Sequence, residues 1–314
     1  MTELLLMLYT AFAAAGTVAL LLLLGAAELR ARRQRSRDAV LRAKYLRIVM
    51  SYLLAGDVPV PRFPMIGRVG ARRLLVEAIA GLVDVTYGLD AAPLRRIVER
   101  YGLEEWLLRR IRCSGAYRRA HNLLLLARLP ATDAGAACAA RYAASCNRYV
   151  RFQSLMVRLA ADPSTALRLM TEYSEPFSAC EVGEIMAVLR RGMLPIAYEP
   201  LIGSPSRNLR IVGLNIVRQF GIEEAERLLL RIVSGDEDPE LVREALYTLC
   251  ALRRPLTRRA VSGRLSAMPP AERKALLRYV VAEGYSPGPL RRLLDERERP
   301  YYESLVQTYK RSLA

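Results

Sequence analysis

The chain has 314 residues, of which 52% are hydrophobic and 25% charged, and its formal net charge is +17. This balance excludes a disordered chain, and the shortage of long β-branched runs excludes a protein built mainly from strands. The positive charge comes from 48 basic residues, of which only Lys44, Lys274 and Lys310 are lysines. So general a preference for arginine does not by itself indicate phosphate binding.

The first predicted element is an uncharged run of 24 residues, from Leu4 to Ala27. As a helix it is about 36 Å long, enough to cross a hydrocarbon core of about 30 Å. We therefore expect a transmembrane anchor over residues 1–27, in a single-pass protein of the inner (cytoplasmic) membrane. Two alternatives fit less well. A cleaved signal peptide has its positive charge before a shorter apolar core, and a buried core helix carries a polar face.

The next predicted element is a basic juxtamembrane helix over residues 28–55, with apolar residues at helical spacing. Because positive residues stay on the cytoplasmic side, the N-terminus is expected outside and the C-terminal domain in the cytoplasm. The cations either contact anionic lipid headgroups or only set this topology, and the sequence favours neither interpretation. The basic residues of this membrane-proximal cluster are Arg30, Arg32, Arg33, Arg35, Arg37, Arg42, Lys44 and Arg47.

A segment rich in proline and glycine, residues 56–70, separates this stem from the rest of the chain. Pro59, Pro61 and Pro64 block a helix and do not suit a sheet. The pattern predicts an extended linker between a membrane stem and a folded body that covers residues 71–314.

Short amphipathic helices of about 11 to 17 residues follow, and they show an internal repeat. Four segments that start at Tyr117, Tyr149, Leu209 and Val242 align with one another, and Arg119, Arg151, Arg210 and Arg243 then fall at matching positions. The first and last steps between these arginines are nearly equal, and the middle step is close to twice as long. A segment at Glu181 fills the double step, with Gly183 at the arginine position. A second helix follows each segment, so the pattern predicts a helical hairpin that recurs roughly every 30 residues.

The best-formed unit, residues 223–252, resembles the HEAT repeat, particularly the short HEAT-like repeats of phycobilisome lyases. The resemblance covers roughly residues 114–283. It implies an all-α fold, in which an N-terminal transmembrane helix precedes a HEAT-like α-solenoid of helical hairpins, with capping helices in 71–113 and 284–314. The residues that carry the resemblance are Asp236, Asp238, Pro239, Val242, Arg243, Ala245 and Leu249.

The resemblance also implies a role for the four repeat-position arginines. In HEAT repeats this arginine bonds to loop groups of its own or the neighbouring repeat, so Arg119, Arg151, Arg210 and Arg243 are expected to be structural rather than ligand-binding. A helix is expected to begin at Pro239, because proline is tolerated in the first helical turn. Asp238 directly precedes it and is expected to cap this helix.

Residues that would support catalysis are scarce. His121 is the only histidine, no glycine-rich phosphate loop is present, and clustered metal ligands are missing. The five cysteines form no CxxC pair, which predicts reduced and buried thiols. We therefore expect no enzyme activity, no cofactor, no metal site and no catalytic residue.

The expected function is a membrane-anchored, non-catalytic scaffold on the cytoplasmic face. The concave face of the solenoid would bind protein partners, and the N-terminal helix and basic stem would contact membrane lipids. Similar single-anchor HEAT-repeat proteins of bacteria accompany envelope glycosyltransferases and signalling proteins. The alternative is a membrane-tethered binder of nucleic acid or another polyanion through an arginine-rich face, disfavoured because stacking aromatics are few. A third alternative, an enzyme of the lyase or repair type, lacks a catalytic constellation, and the oligomeric state stays open.

Overall fold

The structure is a computed structural model in which every regular element of the described residues is helical. The fold class is therefore all-α over this part of the chain. The structure describes residues 2–56, 58–68, 70–86, 88, 90–191, 197–235, 238–254, 259–282, 294 and 296–313. Within these ranges, the side chains of residues 2–15, 18–19, 191, 259–260 and 311–313 are not described.

The chain divides into two compact units, unit 1 (Met1–Val157) and unit 2 (Arg158–Ala314). The helices of the first half of the chain are α1 Thr2–Leu54, α2 Ala71–Val85, α3 Ala91–Arg100, α4 Leu103–Cys113, α5 Ala116–Leu126, α6 Asp133–Ala140 and α7 Arg148–Ala161. Those of the second half are α8 Ala166–Glu172, α9 Ala179–Arg191, α10 Tyr198–Ile202, α11 Arg207–Phe220, α12 Glu226–Ser234, α13 Pro239–Ala251, α14 Arg259–Ala267, α15 Pro270–Ala282 and α16 Arg299–Leu313.

The first helix is continuous from the apolar run into the folded body of unit 1. The predicted span, Leu4–Ala27, falls mostly on residues whose side chains lie outside those described. Over the residues that the structure does describe, no helix is both long and apolar enough to span a bilayer. α1 continues through the predicted basic stem and ends at Leu54.

The second half of α1 belongs to the core of unit 1. Tyr45, Val49 and Tyr52 are buried, and α1 packs against α2. The guanidinium of Arg73, near the start of α2, lies 3.4 Å from the carboxylate of Asp38. Since Asp38 precedes the end of α1 by about four helical turns, the segment between the two helices runs back along α1.

That returning segment, 56–70, forms no helix in its described residues, as its prolines predict, but it packs closely. Phe63 is buried and contacts both Tyr45 and Tyr101 edge-on, with ring centroids 5.4 and 5.3 Å apart. The hydroxyls of Tyr45 and Tyr101 donate to the carbonyls of Pro64 and Pro61, each at 2.7 Å. Burial of the Tyr45 ring raises the pKa of its phenol. The proline segment is therefore fixed against α1 by aromatic packing and two hydrogen bonds.

Helix boundaries in both units follow the capping residues of the sequence. Asp238 accepts a hydrogen bond from the backbone N–H of Glu240 at 2.9 Å, and Pro239 is the first residue of α13, so both predictions for this helix start are confirmed. Gly221, with φ of 64°, ends α11 in the left-handed conformation that glycine adopts without strain.

In unit 2, alternate helices pack on one another. α11 contacts both α9 and α13, α13 contacts α15, and α12 contacts α14. The helices between them, α10 and α12, also pack against α11 and α13 respectively. In this arrangement α11 and α13 each pack against the helix that precedes them and against the helices two before and two after them in the chain.

The predicted repeat segments all fall on helices, and the starts of these helices are evenly spaced along the chain. α5, α7, α9, α11, α13 and α15 begin at Ala116, Arg148, Ala179, Arg207, Pro239 and Pro270. The last of these was not among the aligned segments. The predicted N-terminal capping region, 71–113, contains α2 to α4. The described part of the predicted C-terminal capping region, 284–314, contains α16.

Candidate interaction surfaces

All eight basic residues of the predicted membrane-proximal cluster are exposed on α1, and the fold divides them into two groups. Five of them, from Arg30 to Arg37, precede Asp38, where α2 first meets the helix. The other three, Arg42, Lys44 and Arg47, flank the buried face of the packed half. Only the first group therefore lies between the apolar run and the body of unit 1.

The charge is distributed unevenly between the two units. Unit 1 contains 24 basic and 11 acidic residues, a formal charge of +13. Unit 2 contains 24 basic and 20 acidic residues, a formal charge of +4. Any attraction to an anionic surface is consequently concentrated in the unit that carries the apolar run.

Arg119 is held by the end of the preceding helix. Its Nε donates to the carbonyl of Ile111 at 3.0 Å, and its Nη2 donates to the carbonyl of Ser114 at 2.7 Å. Its guanidinium also lies 5.0 Å from the centre of the Tyr142 ring. These contacts satisfy carbonyls that α4 leaves unpaired at its C-terminus.

Arg151 occupies the same position in α7, the fourth helical residue, and donates from Nη1 to the carbonyl of Ser145 at 2.5 Å. Arg273, which the repeat pattern missed, is the fourth residue of α15 and repeats the arrangement. It donates to the carbonyl of Leu265 at 3.3 Å and pairs with Glu298 at 2.7 Å. Among the described residues, an arginine at the fourth position of a helix thus contacts the end of the preceding segment at three places.

The other two repeat-position arginines differ. Arg210 is the fourth residue of α11 and is half-buried. Arg243 is the fifth residue of α13, and its guanidinium pairs with Glu240 of its own helix at 3.1 Å. The arginine that reaches the start of α13 from another helix is instead Arg207 of α11, which pairs with Asp238 at 2.6 Å and also with Glu240.

A polar and aromatic cluster joins three of the alternately packed helices of unit 2. The guanidinium of Arg218 on α11 lies 3.2 Å from the carboxylate of Glu244 on α13. One turn further, Tyr247 packs against Tyr279 of α15, with ring centroids 4.5 Å apart. Burial raises the pKa of Tyr247, and the nearby Arg243 opposes that shift. We call Arg218, Arg243, Glu244, Tyr247 and Tyr279 the α11–α15 cluster.

The side chains of the α11–α15 cluster are all half-buried, so each presents part of its surface to solvent. Tyrosine and arginine are the residues that most often dominate binding energy at protein interfaces. Sequence analysis overlooked the two tyrosines, although they lie one repeat period apart in the chain, and that spacing could have identified them.

The groups with catalytic or metal-binding potential are dispersed. His121 is exposed on α5. Among the described residues, no three His, Cys, Asp or Glu side chains come close enough together to hold a metal ion. Cys138 and Cys250 are buried as predicted, but the prediction is wrong for Cys113, Cys146 and Cys180, which are exposed near helix ends.

Comparison with known proteins adds no relationship. No protein family, curated protein or solved structure matches this chain significantly.

Proposed function

We propose that this protein is a non-catalytic scaffold, anchored in the inner membrane by α1, that binds protein partners on the cytoplasmic face. The α11–α15 cluster is the observation that carries the binding part of this proposal. It offers two tyrosines and two arginines on adjoining helices, held in place by an ion pair and by ring packing. Such pre-ordered aromatic and arginine side chains lose little conformational entropy when a partner binds.

Two observations support the proposed anchor: the uncharged apolar run in the sequence, and the solvent exposure of the leucines in the part of that run whose side chains the structure describes. Leu20 to Leu24 are five consecutive leucines that are 62–69% exposed. In water this apolar surface would be unfavourable on every side of the helix, and a bilayer removes that cost. The arginines that follow favour a cytoplasmic body.

The proposed architecture of the body is a HEAT-like α-solenoid. Support comes from the even spacing of the helix starts, from the packing of alternate helices in unit 2, and from the repeated arginine at the fourth helical position. Repeats of this kind present extended surfaces that bind other macromolecules. By the same resemblance, we propose an envelope glycosyltransferase or a signalling complex as the class of partner.

Site-specific crosslinking in cells tests the binding surface. A photo-crosslinking amino acid replaces Tyr247 or Tyr279 in the full-length chain, and matched controls replace Arg227 or Arg231, which are exposed on α12. We expect discrete adducts of fixed mass from the two tyrosine positions and none from α12. Equal adducts from both helices, or none from the tyrosine positions, would contradict the proposal.

The anchor is tested separately by extraction of membranes with alkaline carbonate. The full-length protein should stay in the membrane pellet, and a variant that lacks residues 2–27 should move to the soluble fraction. Release of the full-length protein by carbonate would remove the anchor from the proposal and leave the crosslinking result intact.

A second candidate function, the binding of nucleic acid or another polyanion, is favoured by one observation, the formal charge of +13 on unit 1. Counterion release would make such binding fall steeply as the salt concentration rises. Titration of duplex DNA with the full-length protein in detergent, at two salt concentrations, measures this. No saturable binding at physiological salt would exclude this function.

A further inference from the structure

The return of segment 56–70 along α1 brings distant basic residues to one end of unit 1. Arg73 contacts Asp38, so the first turn of α2 lies at the level of the stem where packing begins. Arg72 belongs to the same turn of α2. Arg68 lies just before this helix, and its carbonyl accepts a hydrogen bond from the N–H of Ala71 at 3.1 Å. These residues are distant from the stem arginines in sequence, but the contact between Arg73 and Asp38 brings this turn to the same level of α1.

This end of unit 1 has an excess of cations. The acidic residues there are already engaged: Glu28 pairs with Arg32, and both Asp38 and Glu77 pair with Arg73. Six further arginines at this end are exposed, and the described part of the chain provides no acidic partner for them. We call these six the basic collar: Arg30, Arg33, Arg35, Arg37, Arg68 and Arg72.

The collar lies at the distance from the apolar run at which a membrane surface would be met. From Ala27 to Asp38 the helix rises about 16 Å. The headgroup layer occupies roughly 5–8 Å on each side of a bilayer, so Arg30 and Arg33 lie in it or at its edge, and Arg35 and Arg37, about 12 and 15 Å beyond Ala27, lie just outside it. The start of α2, with Arg68 and Arg72, lies near the level of Asp38, roughly 16 Å beyond Ala27 and therefore about one Debye length, about 8 Å at physiological salt, from the outer edge of that layer.

We propose that the basic collar binds the headgroups of anionic phospholipids, and that Arg68 and Arg72 fix the side of unit 1 that faces the membrane. This inference rests on the proposed anchor in α1. Because α1 is one continuous helix that is packed into unit 1, a pull on α2 tilts the whole unit toward the α2 side. Transmembrane helices tilt by about 20° on average, so this bias requires no unusual geometry. Of the stem arginines in the collar, Arg30, Arg33 and Arg37 share one face of α1 and Arg35 lies on another, so they do not by themselves favour the α2 side, which Asp38 marks.

Hydrogen exchange of the full-length protein in nanodiscs tests the collar. We compare zwitterionic phosphatidylcholine nanodiscs with nanodiscs that contain anionic phosphatidylglycerol. Amides of residues 66–76 should exchange about five-fold more slowly in the anionic nanodiscs, the factor that corresponds to one cation near an anionic surface. The difference should disappear at high salt.

The decisive variant carries Arg68→Glu and Arg72→Glu, and its matched control carries Arg95→Glu and Arg100→Glu. All four arginines are exposed. The control residues belong to α3, in which Arg96 lies 5.8 Å from the ring of Tyr52, and Tyr52 is about 38 Å beyond Ala27, outside the headgroup layer. The collar variant should lose the lipid-dependent protection, and the control should keep it. Circular dichroism of each variant checks that the helices remain.

Each other outcome overturns a specific part of the proposal. If the wild-type protein stays inserted but exchanges equally in both nanodiscs, the collar is wrong and the anchor stands. If both charge variants lose protection, the effect is one of net charge and the assigned side is wrong. If duplex DNA protects residues 66–76 and anionic bilayers do not, the occupant is nucleic acid. If carbonate releases the protein from membranes, the anchor and the collar are both wrong.

Discussion

The ring of Phe63 stands edge-on against that of Tyr45, with their centroids 5.4 Å apart and their planes at 85°. This contact joins the proline segment to the stem helix, so the segment that follows α1 is packed against it and is not a free linker. A movement of α1 is therefore transmitted directly to the helices that pack on it. The orientation of unit 1 is coupled to that of the N-terminal helix.

Replacement of Phe63 by alanine should unfold unit 1 at lower denaturant concentration. Loss of a buried phenylalanine costs about 3–5 kcal/mol of unfolding free energy, because a cavity remains. Tyr45→Phe should cost about 1 kcal/mol, since the Pro64 carbonyl loses its donor. Fluorescence of Trp106, the only tryptophan, reports the unfolding of unit 1 in the full-length protein. Tyr117→Phe is the control, because Tyr117 is 88% exposed. If Phe63→Ala were no less stable than this control, the Phe63 contact would be unimportant.

Gly213 permits the close approach of α10 and α11. A Cβ at this position would lie 2.9 Å from side-chain atoms of both Leu201 and Ile202, and 3.1 Å from the backbone nitrogen of Ile202. Gly213→Ala should therefore destabilise unit 2 by about 1–3 kcal/mol through overpacking. Gly183→Ala in α9 is the matched control, since nothing lies within 4 Å of its Cβ position. That variant should gain up to about 1 kcal/mol from helix propensity. Hydrogen exchange of α11 amides measures both, and unchanged protection in Gly213→Ala would refute the packing argument.

Asn208 holds the loop between α8 and α9. Its Oδ1 accepts from the N–H of Phe177 at 3.0 Å, and its Nδ2 donates to the carbonyl of Glu175 at 2.9 Å. Asn208→Ala removes both hydrogen bonds and should cost about 1–3 kcal/mol, because the buried N–H of Phe177 loses this acceptor. Asn208→Asp keeps the shape but turns a carboxylate toward a carbonyl, so it should also destabilise the loop. Rapid exchange of the Phe177 amide is the expected signal. Native exchange in the aspartate variant would mean that shape alone holds the loop.

Arg119 and its neighbour Arg118 offer a direct test of the structural arginine. Arg119→Ala removes two hydrogen bonds to carbonyls at the end of α4 and should cost about 1–2 kcal/mol. Arg118→Ala should change stability by less than about 0.5 kcal/mol, because Arg118 is exposed. Lysine at position 119 should recover only part of the loss, since it lacks the planar fork that reaches two acceptors. Trp106 fluorescence during chemical unfolding provides the measurement. Equal effects at the two positions would show that Arg119 is not held by α4.

The helical repeat could be read from the sequence because its signals are local. Leucine and valine at helical spacing, Asp238 before Pro239, and an arginine early in successive helices all act within one or two turns. Arg273 and Tyr279 continue the same period but were missed, because the segment around them departs from the aligned pattern. The role of Arg207 could not be predicted, because its partners Asp238 and Glu240 belong to the next repeat.

The sequence by itself determined that the chain is helical, where most of its helices begin, and that an apolar run is followed by a basic stem. These properties depend on interactions between residues a few positions apart. Only the tertiary structure decided that segment 56–70 folds back on α1, that Arg73 at the start of α2 contacts Asp38 of the stem, and that Tyr247 meets Tyr279. Such contacts depend on which surfaces are buried together, and many sequences with the same local periodicity could bury them differently.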